Sequence, residues 1–353
     1  MPMAKKRGAS ATGKTSRASA GKAATSTAGR SAGMRTASPK SFEAIRKELA
    51  KIVVGQEKVL DHLILALVGS GNVLLEGVPG IAKTLMVRAL AGATNCTFSR
   101  IQFTADMLPA DIVGITAYDK QKGFYVLKGP VFANFLLADE INRAPPKTQS
   151  ALLESMQERQ ATIGKQTFPL PTPFFVLATQ NPIENLGTYP LPEAQVDRFL
   201  LKLSVTYPSR DEEQIILNRN MTIRDFSAYG IRPVVKPTDI LRWQREALAI
   251  YVDPKIERYL VSIIDATRNP RDYKVGLARY VQWGASPRGS IGLYIAAKAM
   301  ALMRGRSYVT PHEVKEVAPS VLRHRILLNY EGQSDRISTD DVVAEILKRV
   351  RVP

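Results

Sequence analysis

Residues 72–90 read NVLLEGVPGIAKTLMVRAL, and this stretch decides the fold. The opening NVLLE (Asn72–Glu76) is a short apolar run of the kind that forms a strand buried on both faces. It enters a glycine-rich turn, Gly77-Val78-Pro79-Gly80-Ile81-Ala82-Lys83-Thr84, and from Leu85 the pattern LMVRALA has helical spacing. Such a turn aims successive backbone N–H groups at one spot, and the helix N-terminus adds positive potential there. The result is a cradle for phosphates. In it Lys83 would reach the β/γ-phosphates of a nucleotide, and the Thr84 hydroxyl would ligate Mg²⁺. Ala82 stands where the general pattern has glycine, which a helical backbone at that point would tolerate.

Working outward, four more candidate strands appear at Cys96–Phe103, Asn134–Asp139, Phe174–Thr179 and Phe199–Val205. They alternate with helical patterns, so the expected class is α/β with a mainly parallel sheet and helices on its faces. The third strand ends in Asp139-Glu140. A carboxylate at a strand's carboxyl end can hold a metal, and its neighbour can polarise a water for attack on the γ-phosphorus. The fourth runs into Gln180-Asn181-Pro182, where Asn181 could hydrogen-bond that water or the γ-phosphate, although asparagine before proline is also a plain turn signal. Adjacent strand ends in a parallel sheet meet at the ligand crevice.

Two stretches of alternating, turn-rich sequence, about 114–132 and 158–173, read as hairpins added to the sheet. Beyond Tyr207-Pro208 the periodicity is helical, without strands. Ser286-Pro287 and Thr310-Pro311-His312-Glu313 carry helix-start signals. The expected organisation is a tail at 1–40, an α/β domain at 41–207 with the two inserts, and an all-α domain at 208–353.

The chain has 353 residues and a net charge of +17. Nine of its basic residues and none of its acids fall in residues 1–40, leaving +8 on the remainder. That Ala/Ser/Thr/Gly/Lys-rich tail offers nothing large and apolar to bury, so disorder is expected. It reads as a solubilising extension, with a polyanion-binding arm or a transit peptide as alternatives. One cysteine, Cys96, excludes an internal disulfide, and three scattered histidines give no zinc spacing. No apolar run approaches the length of a membrane span.

The order of these parts resembles the AAA+ ATPases. GVPGIAKT, LLADEINRAPPKTQSALLESMQE, ATQNP, LPEAQVDRF and GASPRG resemble, more narrowly, the MoxR family, over about residues 41–353. The resemblance implies a P-loop sheet of order 5-1-4-3-2 with a helical lid, and an ATP-driven ring, commonly a hexamer. It further implies a cytoplasmic, chaperone-like remodeller that depends on ATP and Mg²⁺. Its partners would be protein clients, among them proteins with von Willebrand A-type domains, with a role in maturing complexes or inserting metal cofactors. By the same resemblance Arg198 is an arginine finger acting on a neighbouring subunit's nucleotide, and Arg288 is sensor 2 on a lid helix. Both assignments make physical sense, because a guanidinium fork complements charge spread over phosphoryl oxygens. A local ion pair of Arg198 with Asp197 or Glu193 is the ordinary alternative. Arg143 is a further candidate for a contact in trans. Gly55-Gln56 resembles the element that packs on adenine. Tyr118, Phe124 and Tyr125 on the first insert could grip a client, or simply staple the hairpin.

Two rival readings remain at this point. A nucleic-acid motor or regulator is favoured by the basic tail and by the pore hairpins of related ring helicases, while the folded part lacks a dense Lys/Arg stripe, a helix-turn-helix signal or a zinc module. A nucleotide-switched scaffold is disfavoured because it needs no water-activating Glu140.

Overall fold

The computed structural model describes residues 39–77, 83–121, 123–181, 187–219 and 226–353. Five strands form one parallel sheet: β1 (Val73–Gly77), β2 (Phe98–Gln102), β3 (Phe135–Asp139), β4 (Phe175–Gln180) and β5 (Leu201–Val205). Their spatial order is β2-β3-β4-β1-β5, so the expected 5-1-4-3-2 order holds. Each strand starts one or two residues inside its sequence-predicted limit, and β1 and β4 each end one residue beyond theirs.

The period of two along the strands sorts their side chains onto two cores. Val73, Leu75, Phe135, Leu137, Phe175, Leu177, Leu201 and Leu203 face one core, which continues into the C-terminal helices. Leu74, Leu136, Ala138, Val176 and Ala178 face the other, against Leu152, Leu153 and Met156 of helix Pro146–Glu158. Burial of side chains this size contributes roughly 1.5–3 kcal/mol each. That suffices to fix the strand ends, from which the polar residues below project.

Two antiparallel ladders interrupt the alternation, Gly114–Asp119 with Gly123–Lys128 and Gln160–Ile163 with Gln166–Pro169. In the first, Tyr118 faces Phe124 across the strands with ring centroids 5.1 Å apart. Both rings stay exposed, at 64% and 79%. Stapling and exposure therefore coexist.

After β5 the chain is helical, with proline opening each of Pro237–Ala249, Pro254–Arg268, Pro287–Met303 and Pro311–Leu322. Asp253 accepts the N–H of Lys255 at 2.8 Å, and Ser286 accepts that of Arg288 at 3.1 Å. At the start of Pro311–Leu322, Glu313 accepts the Thr310 N–H at 2.9 Å. Caps of this kind are worth about 1 kcal/mol each. One correction applies to the strand-free reading of this half: Val281–Trp283 pairs antiparallel with Leu327–Leu328. A ladder of two or three residues is too short for alternation to betray it.

Residues 1–38 lie outside the described part, and with them nearly all of the expected tail. A helix, Pro39–Leu49, already begins inside its last two residues. Phe42 of that helix is fully buried against Trp243, with ring centroids 4.6 Å apart. No helix among the described residues is long and apolar enough to cross a membrane.

Candidate active site

Lys83 opens the helix that follows β1 and donates a hydrogen bond to the carbonyl of Gly77. Burial holds its ammonium below the usual lysine range, while Asp139, Glu140 and Glu76 pull the other way. One cation thus feels three carboxylates from the ends of β1 and β3. Thr84, next along, is half-buried, as is Leu85. Val78, Pro79, Gly80, Ile81 and Ala82 of the expected cradle lie outside the described residues.

Asp139 is the last residue of β3, and both of its carboxylate oxygens are engaged. Oδ1 accepts the Thr179 hydroxyl at 2.7 Å, and Oδ2 accepts Arg100 Nη2 at 2.7 Å and Nε at 3.2 Å. Glu140 then takes a left-handed backbone, φ 56° and ψ 50°. For a residue with a Cβ this conformation costs roughly 1–2 kcal/mol. What holds it there is the same Thr179 hydroxyl, which accepts the Glu140 N–H at 2.8 Å. The turn aims the Glu140 carboxylate away from the strand, where Oε2 accepts Gln102 Nε2 at 2.8 Å and stands 2.7 Å from Arg143 Nε. Arg143, a candidate for a contact in trans, here pairs with an acid of its own chain.

Asn181, one residue past β4, is 7% exposed. It lines a cleft of about 400 Å³ with Glu76, Gln180, Lys202, Arg323 and His324. Arg198 is exposed and makes no ion pair among the described residues, because Asp197 is committed elsewhere. Its carboxylate accepts Arg325 Nε at 2.9 Å and the Ser286 hydroxyl at 2.8 Å. Arg288 is the second residue of helix Pro287–Met303. Gly55 takes φ 73°, a left-handed backbone that favours glycine, and the Glu212 carboxylate lies where a Cβ would stand. Gln56 donates to the Thr206 carbonyl at 3.3 Å, tying this segment to the chain just beyond β5.

Sequence reading finds the acids but not what holds them: Thr179, Gln102 and Arg100 at the strand ends, and His324 and Arg325 in the helical part. The last two had a visible signal. Arg323-His324-Arg325 interrupts an apolar run, VLRHRILL, that reads as core. His324 is 7% exposed, with Nε2 at 3.1 Å from the Phe199 carbonyl. Burial, with the neighbouring Arg325, Lys202 and Arg323 cations, holds its pKa well below the ordinary 6.5. The unfolded chain therefore binds a proton that the folded chain excludes. Stability is full above pH 6.5 and falls as acid is added, by up to about 1.4 kcal/mol per pH unit. A calorimetric Tm series from about pH 8 to about pH 5 is expected to decline on the acid side, and His324→Gln to flatten that decline. An equally steep decline in the variant would assign the loss to other groups.

A parallel sheet of this order, with an acid pair closing its third strand and a helical C-terminal part, defines the AAA+ ATPase class. Residues 72–201 match the ATPase family associated with various cellular activities (AAA), and residues 277–346 match the AAA lid domain. Chaperone MoxR1 of Mycobacterium tuberculosis is 48% identical over 313 residues, 87% of this chain and 81% of its own length. Protein MoxR of Methylorubrum extorquens is 30% identical, covering 87% of this chain and 94% of its own. A solved structure from Cytophaga hutchinsonii aligns with a TM-score of 0.83 at 46% identity, over 89% of this chain and 96% of that one. The chain belongs to the MoxR family of AAA+ ATPases.

Proposed function

We propose that the protein is a Mg²⁺-dependent ATP hydrolase that works as a cytoplasmic ring, commonly a hexamer in such families, and remodels or matures protein complexes. The observation that carries the reading is the convergence of Lys83, after β1, with Asp139 and Glu140 at the end of β3, across the end of β4, whose Thr179 locks the two acids together. A lysine beside a glycine turn binds β/γ-phosphates, and a carboxylate held clear of the strand orients a water and takes its proton. In the described conformation Glu140 is occupied by Gln102 and Arg143, so it must exchange those partners for the water.

The hydroxyl of Thr84 and the carboxylate of Asp139 are hard oxygen donors that suit Mg²⁺. Bound there, the ion would neutralise charge on the β/γ-oxygens. Asn181 would hold the water or the γ-phosphate, Arg288 would reach the nucleotide from the same chain's lid, and Arg198 would reach that of the adjacent subunit. Gly55 and Gln56 would border the base. An α/β domain at 41–207 and a lid at 208–353 would divide the work, and the exposed Tyr118, Phe124 and Tyr125 would meet the client. A relative named as a chaperone supports the remodelling role. Partners with von Willebrand A-type domains follow from the family likeness. The nucleic-acid alternative rests on the basic tail and on the likeness of the hairpins to those of ring helicases.

Lys83→Ala tests the reading at its base. Titration with dye-labelled ATP is expected to show a loss of binding of about tenfold or more, as removal of a charge-assisted contact to phosphate implies. Undiminished binding would remove Lys83 from the site.

A further inference from the structure

The segment that carries Arg198 is gripped from the helical part chiefly by one guanidinium, that of Arg325, with His324 on the Phe199 carbonyl and Ser286 on Asp197 beside it. Arg325 has a side chain only 2% exposed, and its donors are all used. Nε goes to Asp197 Oδ1 at 2.9 Å. Nη2 goes to the carbonyls of Asp197 at 3.1 Å and Phe199 at 2.6 Å. Nη1 goes to the carbonyls of Leu200, at 3.2 Å, and Val321. The carbonyls on either side of Arg198 are therefore both gripped, while the Arg198 side chain itself is left free to project.

The other end of this joint is the helix that carries Arg288. Asp197 Oδ2 accepts the hydroxyl of Ser286, and Ser286 Oγ in turn accepts the N–H of Arg288. One helical turn on, glycine allows close approach: a Cβ at Gly292 would stand 3.0 Å from Val321 and 3.7 Å from Arg325 Nη1. Two arginines, ninety positions apart in the chain, are thus referred to one ion pair whose arginine is buried and whose aspartate is partly so. One faces out from the α/β part, and the other starts the helix over it.

We infer that Asp197, Ser286 and Arg325 form a positioning joint that makes the placement of Arg198 depend on where the Arg288 helix sits. This deepens the proposed function and rests on it. If Arg288 answers to the subunit's own nucleotide and Arg198 to its neighbour's, the joint relays the nucleotide state of one subunit to the site of the next. Coupling of this kind requires a physical link that both sites bias, and a part-buried pair whose guanidinium has every donor committed offers such a link. Asp197, Ser286 and Arg325 touch no substrate and act only through the two arginines.

The test uses full-length subunits mixed in varying ratio with Glu140→Gln subunits, which bind ATP without turning it over. Independent sites lose activity in proportion to the inert fraction. Relayed sites depart from proportion, because a stalled neighbour slows the next site without silencing it, an equal mixture giving about a third of the rate rather than about half. Wild-type subunits are expected to follow the second curve. Subunits carrying Ser286→Ala in both the active and the Glu140→Gln components are expected to follow the first, and Ser286→Thr, which keeps the hydroxyl, to restore the second. Each curve is normalised to its own unmixed rate, so a general loss of activity or folding does not change its shape. A proportional curve for the wild type, or an unaltered curve for Ser286→Ala, would overturn the joint. Full turnover by unmixed Glu140→Gln would instead overturn the hydrolytic reading on which it rests.

Discussion

Arg198→Ala is expected to lower kcat by about 10³–10⁵-fold, the range over which a finger arginine acts on a transferring phosphoryl group. The side chain is exposed and has no ion-pair partner among the described residues. The local acid that would have made it an ordinary surface ion pair, Asp197, is spent on Arg325 and Ser286. Removing a side chain placed this way costs the fold little, so the thermal midpoint should move only slightly while turnover collapses. ATP affinity of the variant should be nearly unchanged, because Arg198 would serve a neighbour's nucleotide in the transition state rather than in the ground state. Mixing Arg198→Ala subunits with Glu140→Gln subunits should return part of the activity, since each contributes what the other lacks where they meet. Failure of the mixture to recover would place Arg198 outside the shared site.

Glu140→Gln should reduce kcat by about 10²–10⁴-fold with dye-labelled ATP still bound. The replacement is isosteric, and its amide oxygen can still accept from Gln102 and Arg143, so the left-handed turn at residue 140 and its bond to Thr179 should survive. What is lost is the capacity to take a proton. The informative readout is the split between kcat and KM: a fall in kcat at constant nucleotide affinity is the signature of a group that acts only during reaction. Retained turnover would move the base role to another residue.

The parts of the fold that rest on local pattern were legible in the amino-acid sequence. Runs of five to eight residues located β1 to β5 to within two residues, and Ser286-Pro287 marked its helix start. The identities of Lys83, Asp139 and Glu140 as a set were also legible, because a strand–turn–helix and an acid-ended strand each carry their chemistry in adjacent residues. The strand order was reached only through family likeness, since nothing in the residues of β1 states that it lies between β4 and β5. What was not legible is the set of partners. Thr179 reads as one more strand residue until register places it beside β3, and Arg100 reads as a surface charge until β2 pairs with β3 and sets Gln102 opposite Asp139. Arg325 and Asp197 are separated by 128 positions. Only the closing of the fold brings such groups within reach, and no spacing rule anticipates it.

Arg100 places a positive charge at the end of β3. With its guanidinium on Asp139, the carboxylate expected to receive a divalent ion already has a positive charge beside it. Loading that ion would then be an exchange of one cation for another rather than the filling of a bare anionic hole, and much of the repulsion among Glu76, Asp139 and Glu140 would be relieved in advance. The placeholder is tethered to an exposed strand position and can swing out into water, so vacating the seat requires a side-chain rotation and no rearrangement of the sheet.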